Sequence, residues 1–165
     1  MEGFEDPTQW KDENGVFRHR GQGFFPYRVP ASGGVLTFNA YLIRGGGLLR
    51  GSGRLRWRVD FTDDKNYTLF ELDEENLYSR DVVNGKGTDR PKQKHNVPSK
   101  DKVWPIKIDV SPDKVVIMIQ NKEQQWVTLD TFAPAGRNLT DGKFGFLLQG
   151  GGDEMGLSDL TFRSR

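Results

Sequence analysis

A chain of 165 residues with 24 Lys and Arg against 23 Asp and Glu suits one domain and lacks the strong positive field that nucleic-acid-binding proteins use. The absence of cysteine excludes disulfides, thiolate zinc sites and a cysteine nucleophile, and two widely spaced histidines argue against a histidine-based metal cluster. No stretch approaches the roughly 18 apolar residues that cross a bilayer, and the N-terminus lacks a signal-peptide pattern, so no membrane contact is expected of this domain.

Composition favours strands over helices, because the chain has 20 glycines and few alanines. Short strand candidates occupy residues 16–19, 24–27 and 35–43. The clearest alternation covers residues 54–61, where arginines and Asp60 lie on one face. The apolar face of this strand consists of Leu55, Trp57, Val59 and Phe61. A strand places successive side chains on opposite faces, so this pattern predicts a sheet with one buried and one solvated side.

Two further strands follow at residues 67–72 and 77–83, separated by polar turns at residues 62–66 and 73–76. Three consecutive strands with short turns predict a β-meander. Pairing that brings the apolar faces together sets Arg58 opposite Glu71, and it sets Glu71 beside Tyr78. Arg80 then lies on the same solvated face, with Tyr67 at its edge.

The second half of the chain repeats this alternation at residues 104–110, 115–119, 125–129, 144–148 and 157–162. About a dozen strands at this spacing predict an all-β, two-sheet antiparallel sandwich. We expect seven residues to lie between the sheets: Trp57, Val59, Trp104, Ile106, Ile108, Phe144 and Phe146. Residues 84–102 are rich in Lys and Arg without apolar periodicity, which predicts a solvated loop or a short polar edge strand.

Catalytic signatures fail on inspection. Residues 46–52 have the glycine spacing of a phosphate loop but lack its lysine, and Ser52 has no assignable His-Asp pair. Glu71, Asp73 and Glu75 alternate as in the Glu-x-Asp-x-Glu signature of family 16 glycoside hydrolases, where two carboxylates perform nucleophilic and acid/base catalysis. Here residue 74 is a glutamate rather than apolar, which favours a turn over a catalytic strand.

The four tryptophans fall into two groups. Trp57 and Trp104 lie on apolar faces, which indicates core packing. Trp10 and Trp126 have polar neighbours, which suits either a half-buried cover or a sugar-stacking platform, and cover is the favoured interpretation.

The order of motifs resembles a concanavalin A-like lectin/glucanase jelly roll. It runs RLRWRV at 54–59, DKNY at 64–67, WPIKIDV at 104–110, WVTLD at 126–130, GKFGF at 142–146 and LSDLTF at 157–162. The branch it resembles contains family 66 carbohydrate-binding modules and 3-keto-disaccharide hydrolase-like domains. The resemblance implies a bacterial extracytoplasmic protein, secreted, periplasmic or at the cell surface, and a domain (residues 1–165) cut from a longer chain.

The resemblance also implies a structural calcium, because residues 3–6 and 158–160 resemble the ends of related calcium-holding modules. A hard cation prefers several oxygen ligands, so Glu5 and Asp159 are its candidate ligands; ordinary loop carboxylates are the favoured interpretation of these two residues. No other cofactor is expected.

These observations favour non-catalytic binding of a carbohydrate by an accessory domain. The alternatives are a glycoside hydrolase-like enzyme that uses Glu71, and a protein-interaction or structural domain of a receptor. Planar charged groups bridge sugar hydroxyls, and aromatic faces cover sugar C–H groups, so the solvated face of the meander is the expected ligand site. A ladder of ion pairs that keeps the sheet soluble is the alternative. The candidate ligand-binding residues are Arg56, Arg58, Tyr67, Glu71, Tyr78 and Arg80.

Overall fold

The computed structural model describes residues 1–43, 54–97 and 103–165, and these form thirteen strands and one short 3-10 turn, Pro7–Gln9. The strands are β1 (Lys11–Glu13), β2 (Val16–Arg20), β3 (Gly23–Tyr27), β4 (Gly34–Ile43), β5 (Leu55–Asp63), β6 (Asn66–Leu72), β7 (Asn76–Val83), β8 (Lys86–Lys94), β9 (Val103–Val110), β10 (Val115–Gln120), β11 (Trp126–Phe132), β12 (Lys143–Leu148) and β13 (Glu154–Ser164). All neighbouring strands pair antiparallel.

Two sheets share these strands. The seven-stranded sheet has the order β1-β2-β13-β4-β9-β10-β11, and the six-stranded sheet has the order β3-β12-β5-β6-β7-β8. The predicted meander is therefore β5-β6-β7, extended at one edge by β8. The predicted antiparallel sandwich is confirmed.

The apolar faces of both sheets form one buried cluster. All seven residues that the alternation assigned to the core are buried. Trp57 stacks nearly parallel on Phe70, with ring centroids 5.6 Å apart. Phe146 meets Phe38 edge to face at 5.3 Å and so links β12 of one sheet to β4 of the other. Trp10 is also buried, and its ring centroid lies 4.7 Å from that of Phe4. This confirms the interpretation that Trp10 covers the core rather than offering a platform for a sugar.

The first hairpin departs from the predicted pairing. Arg58 lies opposite Leu69, and Arg56 takes the predicted place opposite Glu71. The loop is only two residues long, and a β-bulge between Val59 and Asp63 shifts the register by two. A shift of two residues keeps every side chain outside the bulge on its predicted face, whereas a shift of one would have inverted the faces. The second hairpin pairs Glu71 with Tyr78 as predicted.

Inside the bulge the predicted faces are reversed. Asp60 adopts a positive φ of 51° and is buried, although the alternation placed it on the solvated face. Phe61, predicted to be in the core, instead contacts the ring of Phe24 at 4.7 Å on the outer side of the sheet. The left-handed backbone at Asp60 turns the following side chain outward, and simple alternation cannot anticipate that turn.

Asp60 is held by Arg137, which lies in the connection before β12. Arg137 Nε donates to Asp60 Oδ2 at 2.8 Å, and its Nη1 donates to Asp81 Oδ1 at 2.8 Å. Burial lowers the pKa of the Arg137 guanidinium, but hydrogen bonds to Asp81 and Asp60 outweigh that effect and raise the pKa above its ordinary value. The guanidinium therefore stays charged, and this network ties the connection to the six-stranded sheet.

The lysine-rich segment contains β8, a mostly exposed edge strand, as predicted for a polar edge. Its half-buried Arg90 turns inward and donates from Nη2 to Asp130 Oδ1 at 3.1 Å, which links β8 to β11 of the other sheet. Residues 46–52, with the glycine spacing of a phosphate loop, and residues 98–102 at the end of the lysine-rich segment fall outside the described residues. Within the described ranges, no helix has the length and apolar character needed to cross a membrane.

Candidate functional site

The predicted ligand residues lie on the outward face of the six-stranded sheet. We call this surface the arginine face and define it by Arg54 and the six predicted residues, Arg56, Arg58, Tyr67, Glu71, Tyr78 and Arg80. On β5, half-buried arginines alternate with the fully buried Leu55 and Trp57, so the arginines point away from the core. The cross-strand pairs then bring Glu71 and Tyr78 beside Arg56.

Glu71 is the centre of one half of the arginine face. Its Oε2 accepts hydrogen bonds from Arg56 Nε at 2.9 Å and from Arg54 Nη1 at 3.3 Å. The Arg54 guanidinium also lies 4.5 Å from the ring centroid of Tyr78. Side-chain exposure is only 14% for Arg56 and 20% for Glu71, so water screens this ion pair less than it screens a fully solvated one.

Arg58 forms the other half, and aromatic rings surround it. Its guanidinium carbon lies 4.3 Å from the ring centroid of Tyr67, 5.0 Å from that of Phe61 and 5.7 Å from that of Phe24. The side chain is 16% exposed. The side chain of Arg58 makes no hydrogen bond to a described residue, and the carboxylate of Asp64 is 3.7 Å from Nη1. The rings hold the guanidinium in place while leaving donors unused.

A groove opens beside Arg58. It has a volume of about 280 Å³, close to the lower end of small-ligand sites. Gln22, Phe24, Asp64, Leu147 and Gln149 contribute to its lining together with Arg58. Amide, carboxylate, guanidinium and apolar surfaces therefore meet in one concavity, and such a mixture suits a ligand with both hydroxyl groups and C–H surface.

Arg80 lies on the same face but at its periphery. It sits opposite Leu69 on β6, and it forms an exposed ion pair with Asp89 on β8 at 3.2 Å. The structure therefore brings Arg56, Glu71 and Tyr78 together and places Arg80 beyond them, towards the sheet edge.

Sequence reasoning missed Arg54 of the arginine face and two aromatic residues beside it, Phe24 and Phe61. Arg54 extends the same two-residue spacing as Arg56, so the alternation already carried that signal. Phe24 comes from β3, which reaches β5 only through β12, and no local pattern reveals that neighbour. Phe61 was missed because the bulge turns it outward.

The possible catalytic triplet does not form one strand face. Asp73 Oδ1 accepts hydrogen bonds from the backbone N–H groups of Glu75 and Asn76 at 2.8 and 2.7 Å, which closes the β6–β7 turn. Asp73 therefore acts as a turn residue, as its sequence context indicated.

Trp126, the other candidate sugar platform, lies on the seven-stranded sheet. Lys107 Nζ sits 4.2 Å from the centroid of its ring system, so the indole face is partly occupied by a protein cation. The arginine face is the better-formed candidate because it combines a groove with unused hydrogen-bond donors.

The two possible calcium ligands have separate partners. Glu5 Oε2 accepts from Lys143 Nζ at 2.9 Å beside the six-stranded sheet. Asp159 lies in a bulge of β13, in the other sheet, and accepts from Asn39 Nδ2 at 2.8 Å. In residues 1–43, 54–97 and 103–165, no three His, Asp or Glu side chains are grouped as a metal ion would require. A shared calcium stays a prediction, and it would require both carboxylates to exchange partners.

That prediction is tested by melting the protein with and without excess EDTA. A bound calcium stabilises the folded state, so chelation should lower Tm in the wild type and leave a Glu5→Ala variant unaffected. Equal Tm values with and without EDTA for both proteins would remove the calcium site.

The fold is shared with several solved carbohydrate-active proteins. The carbohydrate-binding module CBM66 from Bacillus subtilis matches with a TM-score of 0.61 over 98% of this chain and 96% of its own, at 15% identity. Sheep galectin-11 matches with a TM-score of 0.58 over 87% and 98%, at 12% identity. The Bacteroides ovatus xyloglucan PUL protein GH43B matches with a TM-score of 0.66 over 98% of this chain but only 36% of its own, at 16% identity.

Neither a family model nor a curated protein matches the sequence. At identities this low, the similarity to solved structures shows the fold alone. The expected resemblance to concanavalin A-like jelly-roll domains, including the family 66 carbohydrate-binding modules, is therefore confirmed at the level of the fold.

Proposed function

We propose that this protein is a non-catalytic carbohydrate-binding domain whose ligand occupies the arginine face. The observation that carries the proposal is Arg58, which three aromatic rings hold at the rim of a groove while its guanidinium makes no hydrogen bond to a described residue. Buried polar groups are normally hydrogen-bonded to protein or to water, and the buried Nε of Arg58 has no partner among the described residues. The shared fold with carbohydrate-active proteins supports the class of ligand.

The chemistry of the surface suits a sugar. Guanidinium groups donate to adjacent ring hydroxyls, and Glu71 Oε1 accepts no hydrogen bond from a described residue, so it is available to a sugar hydroxyl. Tyr67 and Tyr78 each hold an arginine against one ring face, and the opposite face of each ring is the surface that we propose for the C–H side of a pyranose or furanose ring. Because the sequence resembles extracytoplasmic carbohydrate-binding modules, we also propose a secreted, periplasmic or cell-surface location.

The test is a glycan-array screen of the purified domain, followed by calorimetry with a glycan that binds. We expect Arg58→Ala and Tyr78→Ala to weaken binding at least tenfold, because each removes a direct contact worth about 1.4 kcal/mol or more. Arg163→Ala is the matched control, since it removes an exposed arginine from β13 of the other sheet.

Wild-type affinity in folded Arg58→Ala and Tyr78→Ala variants would place the ligand elsewhere, the turn at Gly150 to Glu154 being the next candidate. Absence of binding to any glycan would overturn the proposal and favour a protein-interaction domain. Circular dichroism of each variant establishes that it is folded.

A further inference from the structure

We infer that the glycan bound by the arginine face is acidic and that its carboxylate pairs with Arg58. This inference rests on the proposed glycan-binding function and adds the chemical class of the ligand. It follows from three features of the surface: its uneven charge, the unused donors of Arg58 and the position of Asp64.

The first feature is the charge. Three half-buried guanidinium groups have two carboxylate partners: Arg54 and Arg56 pair with the half-buried Glu71, and Arg58 lies 3.7 Å from the exposed Asp64. Arg54 and Arg56 share the same oxygen of Glu71, so a single negative charge serves both of them. The cluster therefore carries a positive surplus inside a surface that is largely removed from water. A neutral sugar leaves that surplus in place, whereas an anion compensates it.

The second feature is the geometry at Arg58. The guanidinium carbon lies 4.3 Å from the ring centroid of Tyr67 and 5.0 Å from that of Phe61, and the planar guanidinium presents its outer N–H groups in a rigid fork. Such a fork matches the two oxygens of a carboxylate, which accept two parallel charge-assisted hydrogen bonds. Because the rings already immobilise the side chain, binding loses little side-chain entropy.

The third feature is Asp64. Its carboxylate is 3.7 Å from Arg58 Nη1, which is beyond hydrogen-bond distance, and its side chain is 92% exposed. Asp64 thus lies near the position of the expected ligand carboxylate without binding firmly there. It also lines the groove, so a negative ligand has to compete with it. Removing the Asp64 charge should therefore strengthen the binding of an acidic glycan and leave a neutral glycan unaffected.

The experiment uses an array of matched pairs. Glycans that end in uronic or sialic acid are printed beside their methyl esters, which have nearly the same shape but no charge, together with sulfated glycans. We expect the acids to bind at least tenfold more tightly than their esters, and an increase in salt from about 0.05 M to about 0.5 M to weaken binding. Arg58→Ala should abolish the preference for the acid, and Asp64→Asn should increase acid affinity about threefold, within the usual range for an exposed charge. Arg163→Ala should change neither.

The outcomes separate the two proposals. Equal binding of acids and esters, lost in Arg58→Ala, would overturn the acidic ligand and leave the proposed function intact. Binding of sulfated glycans alone would overturn the carboxylate. No binding to any glycan would overturn the proposed function and this inference together. Asp64→Asn is a second, independent readout, because the residue is exposed and its replacement leaves the core unchanged.

Discussion

Phe146→Ala is expected to lower the free energy of unfolding by roughly 3–5 kcal/mol, the range for removing a large aromatic side chain from a well-packed core. Phe146 is fully buried on β12. Its ring packs against three others: the centroid distances are 5.3 Å to Phe38 of the opposite sheet, 5.6 Å to Phe144 and 6.0 Å to Phe4 of the N-terminal segment. The loss therefore creates a cavity at the point where both sheets and the N-terminal segment meet.

Denaturant unfolding followed by tryptophan fluorescence measures this change. The matched control is Val83→Ala, which truncates an apolar side chain that is 46% exposed and should change stability by less than about 0.5 kcal/mol. A loss below about 1 kcal/mol for Phe146→Ala would mean that the sheets do not pack together as described.

Arg137→Met is expected to lower the free energy of unfolding by roughly 2–4 kcal/mol, because it leaves Asp60 and Asp81 facing each other without their common cation. Side-chain exposure is 11% for Asp60 and 22% for Asp81, so water compensates these charges only in part. The expected loss of unfolding free energy is therefore smaller than that for breaking a fully buried ion pair.

A second variant separates lost charge pairing from lost packing. Adding Asp81→Asn to Arg137→Met removes one of the two remaining negative charges and should recover part of the lost stability. If the double variant is less stable than Arg137→Met alone, the network contributes through shape rather than charge. Thermal unfolding of the wild type and the three variants completes this double-mutant cycle.

How far the sequence predicts the fold depends on the range of the contacts involved. Alternation assigned the core residues of β5, β9 and β12 because a half-buried strand has a period of two that any window of eight residues displays. It also placed Arg56, Glu71 and Tyr78 on one surface. The predicted pairing of Arg58 with Glu71 was wrong because a bulge adds two residues to β5. Composition does not mark where a bulge lies.

The remaining site residues depend on contacts between distant parts of the chain. Asp60 is buried because Arg137, 77 positions later, neutralises it, and the local pattern RVDFT gives no sign of that pairing. Likewise Arg58 gains an aromatic neighbour in Phe24 through two strand pairings that cross most of the sequence. Such placements follow from topology, which short-range periodicity does not specify.

The polar edge strand β8 has a consequence for self-association. An open sheet edge offers unpaired N–H and C=O groups on which strands of other molecules can add, and this is a common route to aggregation. Here the outermost strand of the six-stranded sheet carries Lys86, Lys92 and Lys94, and Pro91 removes one backbone donor. A second copy that approached this edge would meet lysines of the same charge as its own, and it would find one backbone hydrogen-bond donor missing. The β8 edge is therefore protected against edge-to-edge pairing, even where copies of the domain are crowded together.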